Sequence, residues 1–327
     1  MVHGRHIYGR QSRHAATASA RVACVKEPRC TEAPSSPVPR ADERRAGIDV
    51  ATALAMDADE VRELTIAVHG RPARVFAGGR GEPMLLVHGG WGGAELHWGG
   101  VWGRLVEMFH VIAPDLPGIG RTDQNALASV GDYARWLDAL LGALDIPSAW
   151  CVGNSFGASV VCRLASDYRT RCRGLVLVNG IPLPSTPPVL RWMGQRPLAR
   201  RLIRAVQKRV AYSPSALERG FVHPWNVPPE LQALVRSESP PQLDAVVDIL
   251  VHGGSPRPVG LAPLLLWGEG DQLPGTSASA ARRLQTSWPG ATLTFVPDAG
   301  HMPQVENPAA FVGALGSFVE KARRQAA

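Results

Sequence analysis

A serine, a pair of acids and a histidine stand in an order and spacing that could carry nucleophilic chemistry. Ser155 lies in Gly153-Asn154-Ser155-Phe156-Gly157, a G-x-S-x-G frame. A nucleophilic serine has to stand clear of the backbone on a sharp strand-to-helix turn, and the flanking glycines remove side chains that would collide there. In a chain with 34 glycines such a frame also arises by chance, so its context decides. Glu269 and Asp271 follow in Trp267-Gly268-Glu269-Gly270-Asp271, and His301 closes Asp298-Ala299-Gly300-His301. A serine hydroxyl is a poor nucleophile until a base takes its proton, and imidazole is the side chain whose ordinary pKa lies near neutrality. A carboxylate behind the imidazole would fix its tautomer and stabilise the imidazolium. The oxyanion formed on attack needs preorganised donors, expected from the backbone N–H of Phe156 and of Gly90 in the loop His88-Gly89-Gly90-Trp91.

These residues are useful only if the chain sets each at the end of a rigid element. Apolar runs at Pro83–Val87, Phe109–Ala113, Ala149–Val152, Gly174–Val178, Leu264–Trp267 and Thr292–Val296 suit strands, several of them buried on both faces of a parallel sheet. Apolar residues recur at helical spacing in Tyr133–Leu144, Ala158–Ala165, Ala278–Thr286 and Pro308–Arg323. Two further strands, Glu63–Val68 and Ala73–Ala77, flank a turn at His69-Gly70-Arg71-Pro72. The alternation predicts an α/β protein with a mostly parallel sheet and flanking helices. Every candidate residue then follows a strand, and the order serine, acid, histidine is that of one serine-triad architecture and not of the others.

The alternation stops between about residues 182 and 260, a stretch rich in Pro, Arg and Trp with a helix-like basic piece at Arg200–Val210. This reads as a helical insertion that roofs the ligand side of the sheet. The expected organisation is an N-terminal extension at 1–55, a first core segment at 56–181, a lid at 182–260 and a second core segment at 261–327. Residues 1–55 lack apolar periodicity and read as disordered, with a linker at Glu32–Pro39. Their first 26 residues hold no acid, a composition like that of a transit peptide, and Met56 is an alternative beginning.

A net charge of +7 does not describe a polycation. Residues 1–55 hold nine basic against five acidic residues and residues 182–260 ten against five, so the remainder is slightly acidic. Nucleic acid is not an expected partner. No apolar run reaches the roughly 18 residues of a membrane span, so a membrane is not expected either. Five cysteines without C-x-x-C spacing suit a reduced, cytoplasmic setting. Homo-oligomerisation stays open.

The residues Leu86–Gly90, Pro114–Gly120, Gly153–Gly157, Gly268–Asp271 and Gly300-His301 resemble the α/β-hydrolase superfamily over about residues 60–325. The resemblance implies the α/β-hydrolase fold and a triad of Ser155, Asp271 and His301, with Asp271 rather than Glu269 as the acid. The Gly-Asn-Ser-Phe-Gly elbow is similar to that of meta-cleavage-product hydrolases, which hydrolyse a carbon–carbon bond in ring-opened dienoates and carry a helical lid. Met302 and the Gly90-Trp91-Gly92-Gly93 loop depart from that group. A serine at the elbow argues against the epoxide hydrolase and haloalkane dehalogenase branches, which use aspartate there.

The expected function is a serine hydrolase that cleaves an ester, thioester or lactone of a small, moderately apolar substrate through an acyl-enzyme on Ser155, without metal or organic cofactor. A carbon–carbon bond hydrolase acting on a diketone-like substrate is the second reading, and a slow or non-catalytic small-molecule receptor the third. Trp91 is expected to contact substrate, while Trp98 and Trp102 either line the pocket or pack. His88 and Asp115 are read as loop-shaping residues and Asp298 as a brace for its own loop. The basic residues Arg191, Arg196, Arg200, Arg201, Arg204, Lys208 and Arg209 read as a solvated face, unless one arginine turns inward to hold a substrate carboxylate.

Overall fold

A computed structural model describes residues 60–326 except 123–124, 185, 238–241, 255–256 and 259. The expected extension at 1–55, with Cys24, Cys30 and the linker, lies outside the described residues, as does Met56.

Eight strands form one sheet in the order β1-β2-β4-β3-β5-β6-β7-β8. They are β1 (Arg62–Val68), β2 (Arg71–Gly78), β3 (Glu82–Val87), β4 (Phe109–Pro114), β5 (Ala149–Asn154), β6 (Cys172–Val178), β7 (Leu264–Gly268) and β8 (Thr292–Val296). The pairs β1·β2 and β2·β4 are antiparallel, and the other five are parallel. The first hairpin closes on His69 and Gly70, with φ of +51° and +74°, the backbone twist that a two-residue turn between right-twisted strands requires.

Continuous apolar runs arise because successive side chains feed two different cores. Leu85 and Val87 of β3, Cys151 of β5, Leu175 and Leu177 of β6 and Leu265 and Trp267 of β7 point to one face, where the helices Val130–Ala143, Phe156–Asp167 and Ala278–Thr286 pack. Met84 and Leu86, Trp150 and Val152, Val176 and Val178, and Leu264 and Leu266 point to the other, under the helices Ala94–Trp98, Trp102–Leu105 and Pro308–Ala326. Period-2 alternation onto two buried faces leaves no polar position to mark the strand. The helix Val130–Ala143 begins where Ser129 accepts from the Asp132 N–H and donates to its carboxylate, a capping arrangement that sets the start.

Trp98 is fully buried in the second core, and Trp102 packs on Phe76 with ring centroids 4.7 Å apart, so both serve packing. Cys151, Cys162 and Cys172 are buried free thiols within the first core. Between β6 and β7 the described residues form the helices Pro188–Gly194, Pro197–Ala211, Pro214–Gly220, Pro229–Arg236 and Leu243–His252, and no strand. Four of these five begin on proline, which needs no N–H partner in the first turn. Tyr212, Leu217, Phe221 and Leu231 of this stretch share a third core with Trp91, Leu273 and Met302 from the loops at the strand ends. No helix among the described residues is long and apolar enough to cross a membrane.

Asp115, at the end of β4, organises the neighbouring loops. Its fully buried carboxylate accepts from the N–H of Ala94 at 2.6 Å and of Arg121 at 2.8 Å, and from the Arg74 guanidinium at 3.2 Å. A Cβ on Gly93 would meet this carboxylate at 2.4 Å, so the loop approaches through a glycine. Asp115→Ala would leave the N–H groups of Ala94 and Arg121 without their acceptor, and is expected to lower stability by about 2–5 kcal/mol. Arg74 also pairs with the more exposed Glu95 at 3.1 Å, and Glu95→Ala is expected to cost less than about 1 kcal/mol. Urea denaturation of the two variants checks the contrast.

Candidate active site

The sharp turn sits at the carboxyl end of β5. Ser155 has φ +54° and ψ −115° and is followed at once by the helix Phe156–Asp167. Its N–H donates to the Val178 carbonyl at 2.9 Å, which ties the turn to β6. A Cβ on Gly157 would come within 2.2 Å of the Val87 carbonyl oxygen, and one on Gly153 within 2.3 Å of the Gly157 oxygen. The two glycines of the frame are therefore required by backbone approach, β5 against helix and helix against β3. Phe156 opens the helix, whose first N–H groups have no partner within it.

His301 follows β8 and Asp271 follows β7. The His301 Nδ1 lies 2.8 Å from Asp271 Oδ2, and both groups are buried. A carboxylate oxygen only accepts, so in the neutral imidazole the proton sits on Nδ1 and the lone pair on Nε2. Asp271 Oδ2 also accepts from Asn179 Nδ2 at 2.8 Å, and Oδ1 from the Leu273 N–H at 2.9 Å. Asn179, fully buried with φ +42°, accepts the Gly268 N–H at 2.8 Å and so spans the ends of β6 and β7. Glu269 is exposed, and Asp271 is the acid that meets the histidine. Asn154 donates to the carbonyls of Val178 and His301 at 3.0 and 3.1 Å. The elbow and the histidine loop are thus joined by a side chain of the frame itself.

Ser155, His301, Gly90, Trp91 and Phe156 line one cavity of about 380 Å³, and Asp271 lies behind His301. The lining is mostly apolar, with Leu183, Val210, Val246 and Ile249 among its members, and contains no arginine or lysine among the described residues. The alternative in which an arginine of the insertion turns into the site is not met among the described residues: Arg200 and Arg204 pair instead with Asp248 and Asp244 of the helix Leu243–His252. No group of three or more His, Cys, Asp or Glu among the described residues is arranged to hold a metal ion.

The stretch after β6 lines part of this cavity and is fastened to its other walls by specific bonds. The Tyr212 hydroxyl donates to the Gly90 carbonyl at 2.8 Å, and Trp91 Nε1 donates to the Ala211 carbonyl at 2.7 Å. Trp91 lies edge-on to His301, with ring centroids 5.2 Å apart, and stacks on Phe221. The His301 N–H donates to the Gly220 carbonyl at 2.6 Å. Glu306 accepts the N–H groups of Gly300 and Val222, and burial pushes its carboxyl up from the ordinary value. Asp298 contacts His223 of the insertion at 2.7 Å, so it joins two segments and not only its own loop. Asn179, Tyr212 and Glu306 have no motif; of these only Asn179 carried a signal, a polar residue directly after the β6 apolar run.

The residues 84–314 match a family model described as Alpha/beta hydrolase family. The chain belongs to that family. Among curated relatives, uncharacterized proteins of Mycobacterium bovis and Mycobacterium tuberculosis are 38% identical over 113 residues, 34% of this chain. The chain spans about a third, 33%, of the length of those relatives. A 2-hydroxymuconate semialdehyde hydrolase of Pseudomonas sp. is 29% identical over 75% of this chain and 89% of its own. A pimeloyl-[acyl-carrier protein] methyl ester esterase of Serratia marcescens is 26% identical over 74% of this chain and 95% of its own. Among solved structures, a thermophilic esterase from Thermogutta terrifontis shares the fold with TM-score 0.60 and 22% identity, covering 80% of this chain and 99% of that one.

Two buried imidazoles beside the site give it a pH dependence. His88 donates from Nδ1 to the Gly89 carbonyl and accepts the Leu116 N–H at Nε2, both at 2.8 Å, as the loop-shaping reading expects. His97, which the sequence did not single out, donates from Nδ1 to the Gly93 carbonyl at 3.0 Å and faces the cavity. Burial holds both below the usual imidazole range, His97 well below it. The folded state keeps them neutral, whereas the unfolded chain protonates them below about pH 6.5. Their stabilisation is complete above that value and is lost as pH falls toward the folded pKa values. Glu306, pushed up, acts in the opposite sense and mainly at lower pH. Thermal midpoints should fall between about pH 7 and 5.5, and His97→Asn should flatten that slope; an unchanged slope would remove His97 as its source.

Proposed function

We propose that this member of the alpha/beta hydrolase family is a serine hydrolase that cleaves an ester, thioester or lactone of an uncharged, moderately apolar small molecule. Ser155 Oγ attacks the carbonyl carbon while His301 Nε2 takes its proton. Asp271, held by Asn179 and Leu273, keeps the imidazole in the Nδ1–H tautomer and stabilises the imidazolium. The backbone N–H groups of Phe156 and Gly90 receive the oxyanion, and losing such a donor costs roughly 3–4 kcal/mol in catalysis. Collapse expels the alcohol or thiol, protonated by His301, and leaves an acyl group on Ser155. A water activated by the same imidazole then releases the acid. The insertion at 182–260 serves as a lid that holds the oxyanion loop through the Tyr212 hydroxyl on the Gly90 carbonyl and the Ala211 carbonyl on Trp91 Nε1.

The observation that carries the choice of substrate is the lining of the cavity. It is mostly apolar and offers no arginine or lysine. Burying an unpaired carboxylate there would cost several kcal/mol, so a neutral ester fits better than a dienoate anion. The named esterase relative supports the same side. The second reading, hydrolysis of a carbon–carbon bond, is favoured by the Asn154-Ser155-Phe156 elbow and by the named semialdehyde hydrolase relative.

A fluorophosphonate probe is expected to label the protein at Ser155. Ser155→Ala should abolish labelling and lower kcat at least about ten-thousandfold; labelling at another residue would overturn the assignment. Prompt turnover of short aryl esters with no turnover of a ring-opened dienoate is expected, and the reverse result would favour the second reading. Asn179→Ala removes a bond to a charged group, and kcat should fall about tenfold or more with little change in KM. Steady-state kinetics separates the two constants.

A further inference from the structure

The helix Pro197–Ala211 presents two faces of different chemistry. Its inward side is fastened to the helix Leu243–His252 by Arg200–Asp248 at 2.5 Å and by Arg204–Asp244, and its Gln207, Val210 and Ala211 line the cavity. The outward side carries Leu198, Arg201, Leu202, Ala205, Val206 and Arg209, an i, i+3, i+4, i+7 series in which every member is exposed. Leu198 is 77% and Leu202 67% exposed. The preceding helix Pro188–Gly194 adds exposed Val189, Trp192 and Met193. That helix is not loose, since a Cβ on its buried Gly194 would lie 2.8 Å from Val251. The Arg196 guanidinium sits 4.2 Å from the Trp192 ring centroid, so charge and apolar surface are interleaved.

Surface helices ordinarily turn such apolar residues inward, and here the inward side is already occupied. From 188 to 211 the chain has seven basic residues and no acid. Apolar side chains framed by arginines match a negatively charged layer above hydrocarbon. We infer that this outward face docks on an anionic lipid surface. Leu198, Leu202, Val206 and Trp192 enter the boundary between headgroups and acyl chains, and Arg191, Arg201 and Arg209 meet the phosphates.

Charge argues against other occupants. A second copy would bring the same basic face against this one, and residues 1–55 are themselves basic, nine residues against five. A nucleic acid or acidic protein would engage the arginines and leave Leu198 and Leu202 without hydrocarbon to enter. The inference reverses the expectation, drawn from the lack of a spanning segment, that a membrane is not a partner. It does not depend on the hydrolytic reading.

Co-sedimentation of the full chain with phosphatidylcholine vesicles, with and without phosphatidylserine, tests it. Binding is expected with phosphatidylserine, little without it, and weaker at raised salt. Leu198→Gln with Leu202→Gln, and separately Arg201→Glu with Arg209→Glu, should each lower vesicle affinity about tenfold or more while the melting curve is kept. Should a pair disturb the melt, Leu198→Gln alone gives the comparison. Four results would overturn the inference: no binding to phosphatidylserine vesicles, binding unchanged in the variants, a dimer in sedimentation velocity that the leucine variant dissolves, or capture by an oligonucleotide in place of vesicles.

Discussion

At the carboxyl end of β5, backbones approach one another more closely than any side chain would allow. A Cβ on Gly180 would lie 2.4 Å from the Ser155 carbonyl oxygen, and Gly153 and Gly157 are equally confined. Ser155 itself sits at positive φ, a conformation that costs of order 1–3 kcal/mol in a residue with a side chain. It persists because the strands on both sides leave no alternative: β3 packs against Gly157, and β6 takes the Ser155 N–H. The direction of the serine and the placement of the Phe156 N–H are both consequences of that crowding. Two buried faces stabilise the sheet through apolar area, and this site uses the rigidity that results.

Around the elbow, the other groups are held by polar residues that reach between strands. Asn154 joins the elbow to the His301 loop, and Asn179 joins the end of β6 to Asp271 and to Gly268. Each lies in a dry environment where an unpaired amide is costly, so the bonds also select one arrangement of the loops. The insertion between β6 and β7 is bound in by the same means. Tyr212 and Trp91 exchange bonds between the insertion and the Gly90 loop, and His301 and Glu306 tie the insertion to the other side. The third core, with Trp91, Met302 and Tyr212 as common members, joins the insertion to the loops at the strand ends.

Charge is distributed so that the cavity and the outer surface differ. The insertion is basic, yet Arg200 and Arg204 are drawn to Asp248 and Asp244, and no arginine lines the cavity among the described residues. The two imidazoles nearest the floor, His88 and His97, are kept neutral by burial. A mostly apolar pocket without arginine or lysine among the described residues and a basic, partly apolar outer face therefore lie on two sides of the insertion, and one helix contributes to both.

Local pattern made much of this legible. Runs such as Met84–Val87 and Leu175–Val178 announced strands because period-2 alternation onto two cores leaves no polar gap, and Gly-x-Ser-x-Gly announced the turn because only glycine tolerates the approach at 153 and 157. The order of serine, acid and histidine followed from strands that end on one side of a parallel sheet. Strand order was not readable, since nothing in β3 or β4 states that β4 pairs between β2 and β3. Nor were the roles of Asn179 and Tyr212, whose partners lie 92 and 122 residues away and are met only after folding. The sequence by itself determined the elements and the chemistry they could carry, because both depend on local spacing. The tertiary structure alone decided that the described cavity lining holds no arginine or lysine and which face of the basic helix looks outward, because ion pairs such as Arg200–Asp248 form between segments that the chain keeps far apart.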